Sequence, residues 1–229
     1  MNGVIFLLLL VICVGLIYIV HRYFGKHEFY LLSVIYSIIS FVMSFKMVKI
    51  LGLNINMGII FIGGIIGLLY YFVNKYNDSE SKKFIITIMI STISSIVIML
   101  LSAMMIPSIY DENIVLFKDL LFDNYAILIF YPIGLLGTLL FANYSFKGLK
   151  KIEVNKKINA IISIIGITFI NVFVGIYFSS AINNGFRNSH FIAIDNYFIM
   201  TIIMIGMYFL VNKIIKVKKV NSWIIYIYC

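Results

Sequence analysis

Charge is scarce in this chain. Among 229 residues there are 18 Lys and Arg and 9 Asp and Glu, so charged residues make up 12% of the sequence. An ordinary soluble domain carries about 25%. Proline (2), cysteine (2), tryptophan (1) and histidine (3) are also few, and glutamine does not occur. Each shortage excludes something. Cys13 sits inside an apolar run and Cys229 is the last residue, so a disulfide framework is not expected. His21, His27 and His190 read as loop residues without metal-site spacing or neighbouring carboxylates, which predicts no metal centre. Neither a G-x-S-x-G nucleophile motif nor a phosphate-cradling glycine loop is present. No Asp, Glu, Lys or Arg falls near the centre of an apolar run. The expectation is therefore a chain that is not an enzyme and carries no cofactor. The formal charge of +9 has no basic domain to carry it, so nucleic acid is not an expected partner.

What is abundant is apolar. Hydrophobic residues reach 62% and the mean hydropathy is +1.06. A soluble fold of this size has too much surface to hide that much Ile, Leu and Phe. A lipid bilayer removes the difficulty, and it is the first partner the composition implies. A spanning helix needs about 20 mostly apolar residues, with about 17–25 tolerated. Seven runs qualify: Gly3–Val20, Phe29–Phe45, Ile55–Val73, Phe84–Ile106, Tyr125–Tyr144, Ile158–Ala181 and Tyr197–Val217. The last is short unless Lys213 and Lys216 extend their stems toward the headgroups. The first has neither a basic leader nor a small-residue cleavage site, so it is expected to stay as a helix and not to be removed as a signal peptide. The fold class expected is an all-α transmembrane bundle forming a single integral membrane domain over residues 1–229.

Orientation follows from alternating loops. Lys46, Lys49, Lys118 and Arg187 fall on one side and the other fourteen of the 18 basic residues on the other. Lys and Arg gather on the cytoplasmic side. The N-terminus is expected outside and the C-terminus inside. The loop Pro107–Asn124 reads as an amphipathic connector, alternatively as a segment lying along the membrane surface. Trp223–Tyr228 is too short to span and is expected at the interface.

Polar residues inside the spans form stripes. Ser33, Ser37, Ser40 and Ser44 are spaced 4, 3 and 4, which puts them on one helix face. Thr87, Ser91, Ser94, Ser95 and Ser102 follow a similar register, and Gly63 and Gly67 form a small-xxx-small pair. Helix packing accounts for such stripes, because small and hydroxyl residues let membrane helices approach and hydrogen-bond. The alternative is a cavity for a neutral polar solute. Asn159 and Asn171 are its best candidates, since an amide in lipid must find partners. Tyr70, Tyr71 and Asn74 come next, although aromatics at that depth also serve as interfacial anchors. Pro132 and Gly134 are positioned to break the fifth span, as in transporter binding sites.

From about His21 to Lys83 the order of residues resembles the queuosine precursor transporter family, a vitamin-uptake-type membrane family. The likeness begins at Gly25–Lys26 and continues through Lys46-Met-Val-Lys-Ile-Leu-Gly52, where the family closes its helix with Phe-Gly. It runs on through Gly58 to the stretch Asn74-Lys-Tyr76 and the basic helix start at Lys82 and Lys83. Pro107…Asp111, a span and then Lys147–Lys151 also fit the family layout. The resemblance implies a six-helix core plus an N-terminal helix. It also implies a bacterial plasma-membrane location and uptake of a 7-deazapurine or vitamin-like compound. It places Lys46, Tyr70, Asn74 and Asn159 at substrate-binding positions, and Asn171 joins them as an intramembrane amide. The chain departs from the pattern where Phe41 stands for an Asn and where Tyr70 and Asn74 stand for an Asp and a Glu. It departs again where Lys157-Ile158-Asn159 replaces Arg-Asn-Asn, and where the intramembrane Gln and Asp of the fifth and sixth spans are missing. A site that loses polar groups loses selectivity for polar edges, so a changed substrate is implied. The competing expectation is a non-transporting protein, acting as membrane partner subunit, immunity factor or scaffold, or as a homo-oligomer.

Overall fold

The computed structural model describes residues 2–104, 124–152 and 155–217. The expectations for Pro107–Asn124 (apart from Asn124 itself) and for Trp223–Tyr228 lie outside the described residues. In chain order the elements are α1 (Asn2–Tyr23), α2 (Lys26–Ser44), β1 (Met47–Ile50), β2 (Leu53–Asn56), α3 (Ile59–Lys75), α4 (Asp78–Met104) and α5 (Tyr125–Lys151). They continue with α6 (Lys156–Ile170), a π-helical segment π1 (Asn171–Tyr177), α7 (Phe178–Asn184) and α8 (Phe186–Lys216). α6, π1 and α7 run on without a turn as one broken span.

Among the described residues six helical stretches are long and apolar enough to cross a membrane, and α3 is a shorter apolar helix. At 17 residues α3 is about 25 Å long, a little less than a hydrocarbon core of about 30 Å. It compensates by being central. Every residue from Ile59 to Val73 is buried, and α1, α2, α4, α5 and α8 all pack on it. Gly63 and Gly64 allow this. A Cβ on Gly63 would lie 2.7 Å from Ile203 of α8, and one on Gly64 would lie 2.7 Å from the Cys13 sulfur of α1. The outer faces carry Val4, Leu7, Leu31, Ile90 and Ile98 with more than half their surface uncovered. Such continuous apolar surface is rare on a soluble monomer; in a bilayer it meets lipid.

Several boundaries differ from the sequence reading. Ile55 and Asn56 belong to β2, not to the third span, which starts at Ile59. The stretch Lys46–Gly52 does not close a helix. Its core is strand β1, antiparallel to β2, with Met47 opposite Asn56 and Ile50 opposite Leu53. Leu51 and Gly52 make the two-residue turn with φ of 51° and 89°. Positive φ at both positions is the mark of the type I′ hairpin turn. The last span is longer than its apolar core, because α8 begins at Phe186 and not at Tyr197. The three histidines are helical and not in loops. His21 lies in the last turn of α1, fully buried, and its ring nitrogens lie 3.1 Å from the Tyr71 hydroxyl and 3.1 Å from the Val217 carbonyl. His27 is in α2 and His190 in α8. Among the described residues no cluster of three metal-ligating side chains exists.

Candidate functional site: a polar layer beside a π-helical break

The bundle has a hairpin end, where α2 passes into β1–β2 and α3 starts, and a basic end, which carries Lys26, Lys83, Lys147 and Lys150. Each end holds a layer of buried or half-buried polar side chains, and the apolar middle of α3 separates them.

At the hairpin end Asn56 does three things. Its amide nitrogen donates to the Ser44 carbonyl (2.8 Å), which satisfies the end of α2. Its side-chain oxygen accepts the Gly58 N–H (2.8 Å) at the start of α3. Its own backbone N–H donates to Asn196 Oδ1 (2.8 Å). Asn196, fully buried in α8, in turn donates to the carbonyls of Asn54 (3.0 Å) and Ile192 (2.7 Å). Asp195 accepts the Asn54 N–H at 2.8 Å. Two neighbouring side chains of α8 therefore pair the open edge of β2, where an unpaired strand edge would otherwise be exposed. Ser40 belongs to the same layer and donates to the Gly58 carbonyl at 2.9 Å.

Below this layer lies a cavity of ≈ 20 Å³ lined by Ser44, Asn56, Tyr131, Asn171, Gly175 and Ser179, with Ile62, Ile127 and Ile176. That is room for about one water molecule. Asn171, 3% exposed, opens π1 and donates to the Thr138 hydroxyl of α5 at 3.1 Å. The Tyr131 hydroxyl faces Ser40 and completes no hydrogen bond among the described residues. The backbone around the cavity is irregular on both sides. Pro132 interrupts the amide ladder of α5, and a Cβ on Gly134 would stand 2.7 Å from the Gly175 backbone. α5 and π1 thus meet main chain to main chain. A π segment is a rare conformation, found often at functional sites. Above the asparagine layer, toward the surface, a wider cavity of ≈ 580 Å³ is lined by Met47, Asn54, Asn124, Asn188, Phe191 and Ile192.

At the basic end Tyr70 donates to Asn212 Oδ1 at 2.7 Å, and Asn74 donates back to the Tyr70 carbonyl at 2.8 Å. The Tyr70 ring packs against Phe146 and Tyr208.

The five residues singled out from sequence are therefore not one site. Tyr70 and Asn74 share the basic-end layer. Asn159, half-buried near the start of α6, lies toward that same end. Asn171 lines the cavity in the other half. Lys46 is exposed at the start of the hairpin, where its carbonyl accepts the Met57 N–H at 3.0 Å. The serine stripe of α2 faces inward: Ser33, Ser37, Ser40 and Ser44 are all buried, and Ser37 lies 2.6 Å from the Thr92 hydroxyl. Asn56, Tyr131, Asn196 and Asn212 were not visible as site residues. Only Asn212, an amide inside an apolar run, carried the same signal as Asn171.

Fold and site together define a multi-pass α-helical membrane protein with a polar cavity in its interior. No protein-family model matches the chain, and no curated protein or solved structure is significantly similar to it.

Proposed function

We propose that the chain is a membrane transporter for a small, neutral polar solute. One observation carries this reading: a buried cavity walled by Asn56, Tyr131, Asn171 and Ser179 abuts a π-helical break and lies beneath a wider asparagine-lined cavity. Groups that offer both donors and acceptors suit an uncharged solute with amide, hydroxyl or heterocyclic edges. Among the described residues no carboxylate, lysine or arginine lines the small cavity, so coupling through a buried carboxylate is not part of the proposal. The resemblance of His21–Lys83 narrows the solute to a queuosine precursor of the 7-deazapurine type or a vitamin-like compound, taken up across a bacterial plasma membrane.

A drug-sized ligand occupies about 300–1,000 Å³, far more than ≈ 20 Å³. In this reading the structure is a closed state, and loading requires α5 and π1 to part. The Gly134–Gly175 contact is held by no side chain, which makes it the natural place for that motion. Uptake of a labelled 7-deazapurine by cells that lack their own carrier is the test. Accumulation above background supports the proposal, and none for any 7-deazapurine tested removes that substrate class.

A second reading has its own support. Most polar groups of the layer are already bonded to one another, as a purely structural layer would be. A scaffold or partner subunit would show no uptake and would co-purify in mild detergent with one stoichiometric membrane protein.

A further inference from the structure

At the basic end, α2 and α4 start side by side and a groove of ≈ 390 Å³ opens between their first turns. Its charge is arranged in two levels. The Glu80 carboxylate lies beneath, 17% exposed, and accepts from Lys26 Nζ at 2.9 Å and Lys83 Nζ at 3.2 Å. The Tyr30 hydroxyl adds a third hydrogen bond at 3.1 Å. The two ammonium groups lie above, with side chains 35% and 65% exposed. One carboxylate answers two ammoniums, so the groove presents a net positive charge outward while each lysine is held in place from below. Both helices begin here, which adds the positive ends of two helix dipoles. An anion placed between the ammoniums finds donors already fixed.

The groove does not end at the charges. Ile86, part of its lining, leads along α4 to Ile90 and Ile93, and His27, at its rim, leads along α2 to Leu31, Ile35 and Ile38. The steps of four and three keep each row on one face, and all five of these further residues, with Ile86, are exposed. A charged groove thus opens onto two parallel lipid-facing stripes. Basic pockets between membrane helices on the cytoplasmic side take anionic lipid headgroups, and the charge count places this end there.

We propose that the α2–α4 groove binds an anionic phospholipid of the surrounding leaflet, its phosphate between Lys26 and Lys83 and its acyl chains along the two stripes. This stands independently of the solute reading.

The test uses the purified full chain in detergent, titrated with phosphatidylglycerol, phosphatidylcholine or inorganic phosphate. Melting temperature is read against each variant's own lipid-free value, and bound lipid is counted by native mass spectrometry. Phosphatidylglycerol raises the melting temperature and is retained; phosphatidylcholine and inorganic phosphate do neither. Lys83→Gln weakens the apparent affinity about fivefold, the effect of one basic residue near a membrane surface. Lys83→Arg keeps the affinity, and so does Lys82→Gln, whose lysine lies on the same helix but outside the groove. Equal shifts from the two lipids, or equal losses in Lys82→Gln and Lys83→Gln, would show diffuse surface charge and overturn the site. An equal shift from inorganic phosphate would show that the apolar stripes take no part, and would overturn the lipid assignment.

Discussion

Asn196 shows how much one side chain can organise. Its amide ties α8 to both the carbonyl of Asn54 and the N–H of Asn56, so the edge of β2 is satisfied by a helix instead of a third strand. Asn196→Leu keeps much of the volume but leaves the Asn56 N–H and the Asn54 carbonyl without partners. The Asn56 N–H is buried, and an unsatisfied buried group costs about 1–3 kcal/mol, whereas the carbonyl of the exposed Asn54 can turn to water. The variant should melt clearly below the wild type in detergent; an unchanged melting curve would mean that water already serves those groups. The sequence made Asn171 visible because an amide inside an apolar run must bond to something, and the same rule reaches Asn212. It does not reach Asn56 or Asn196. Both lie where apolar runs end, and a polar residue there needs no explanation until the hairpin and α8 are seen to meet.

Between elements, the contact of α5 with π1 decides the shape of the cavity. Seven spans were legible from apolar run length, but the π break was not, because Asn171–Tyr177 keeps helical composition throughout. Its outward sign is geometric: Phe169, Phe173 and Tyr177 stack with interplanar angles of 7° and 6°. The hairpin escaped for a different reason. Four-residue strands are too short for alternation to register, and Leu51 at φ 51° is not a residue that announces a positive-φ turn. Gly134→Ala tests the close crossing. Its new methyl would meet the Gly175 backbone, which cannot swing aside as a side chain can. Overpacking of this kind costs about 1–3 kcal/mol. Gly206→Ala is the control, since a Cβ there meets nothing within 4 Å. The melting temperature should fall for the first and hold for the second. Equal behaviour of the two would mean that α5 and π1 do not meet closely in the membrane.

On the scale of the whole molecule, the asymmetry of charge predicts that the hairpin end faces outward. Leu51, 98% exposed at the hairpin tip, gives a place to check it. In a Cys229→Ser background, Leu51→Cys should react with an impermeant thiol reagent in intact cells, and Lys82→Cys only after permeabilisation. The buried Cys13 should stay silent in both. The reverse pattern would overturn the orientation. Under the transport proposal, the two polar layers, one at each end of an apolar α3, would be the two faces of the solute's path. The cavity at Asn171 is where a carrier and a scaffold would make different demands. In a scaffold, Asn171→Leu removes one interhelical hydrogen bond to Thr138, worth about 0.6–2 kcal/mol in membranes. In a carrier it also removes a wall of the site. The most direct measurement is uptake of a labelled 7-deazapurine per folded molecule, taken with the melting temperature on the same preparation of wild type and Asn171→Leu. Uptake by the wild type that is abolished in the variant, with folded protein nearly unchanged, is the predicted result; lost stability with uptake per folded molecule intact would contradict the account.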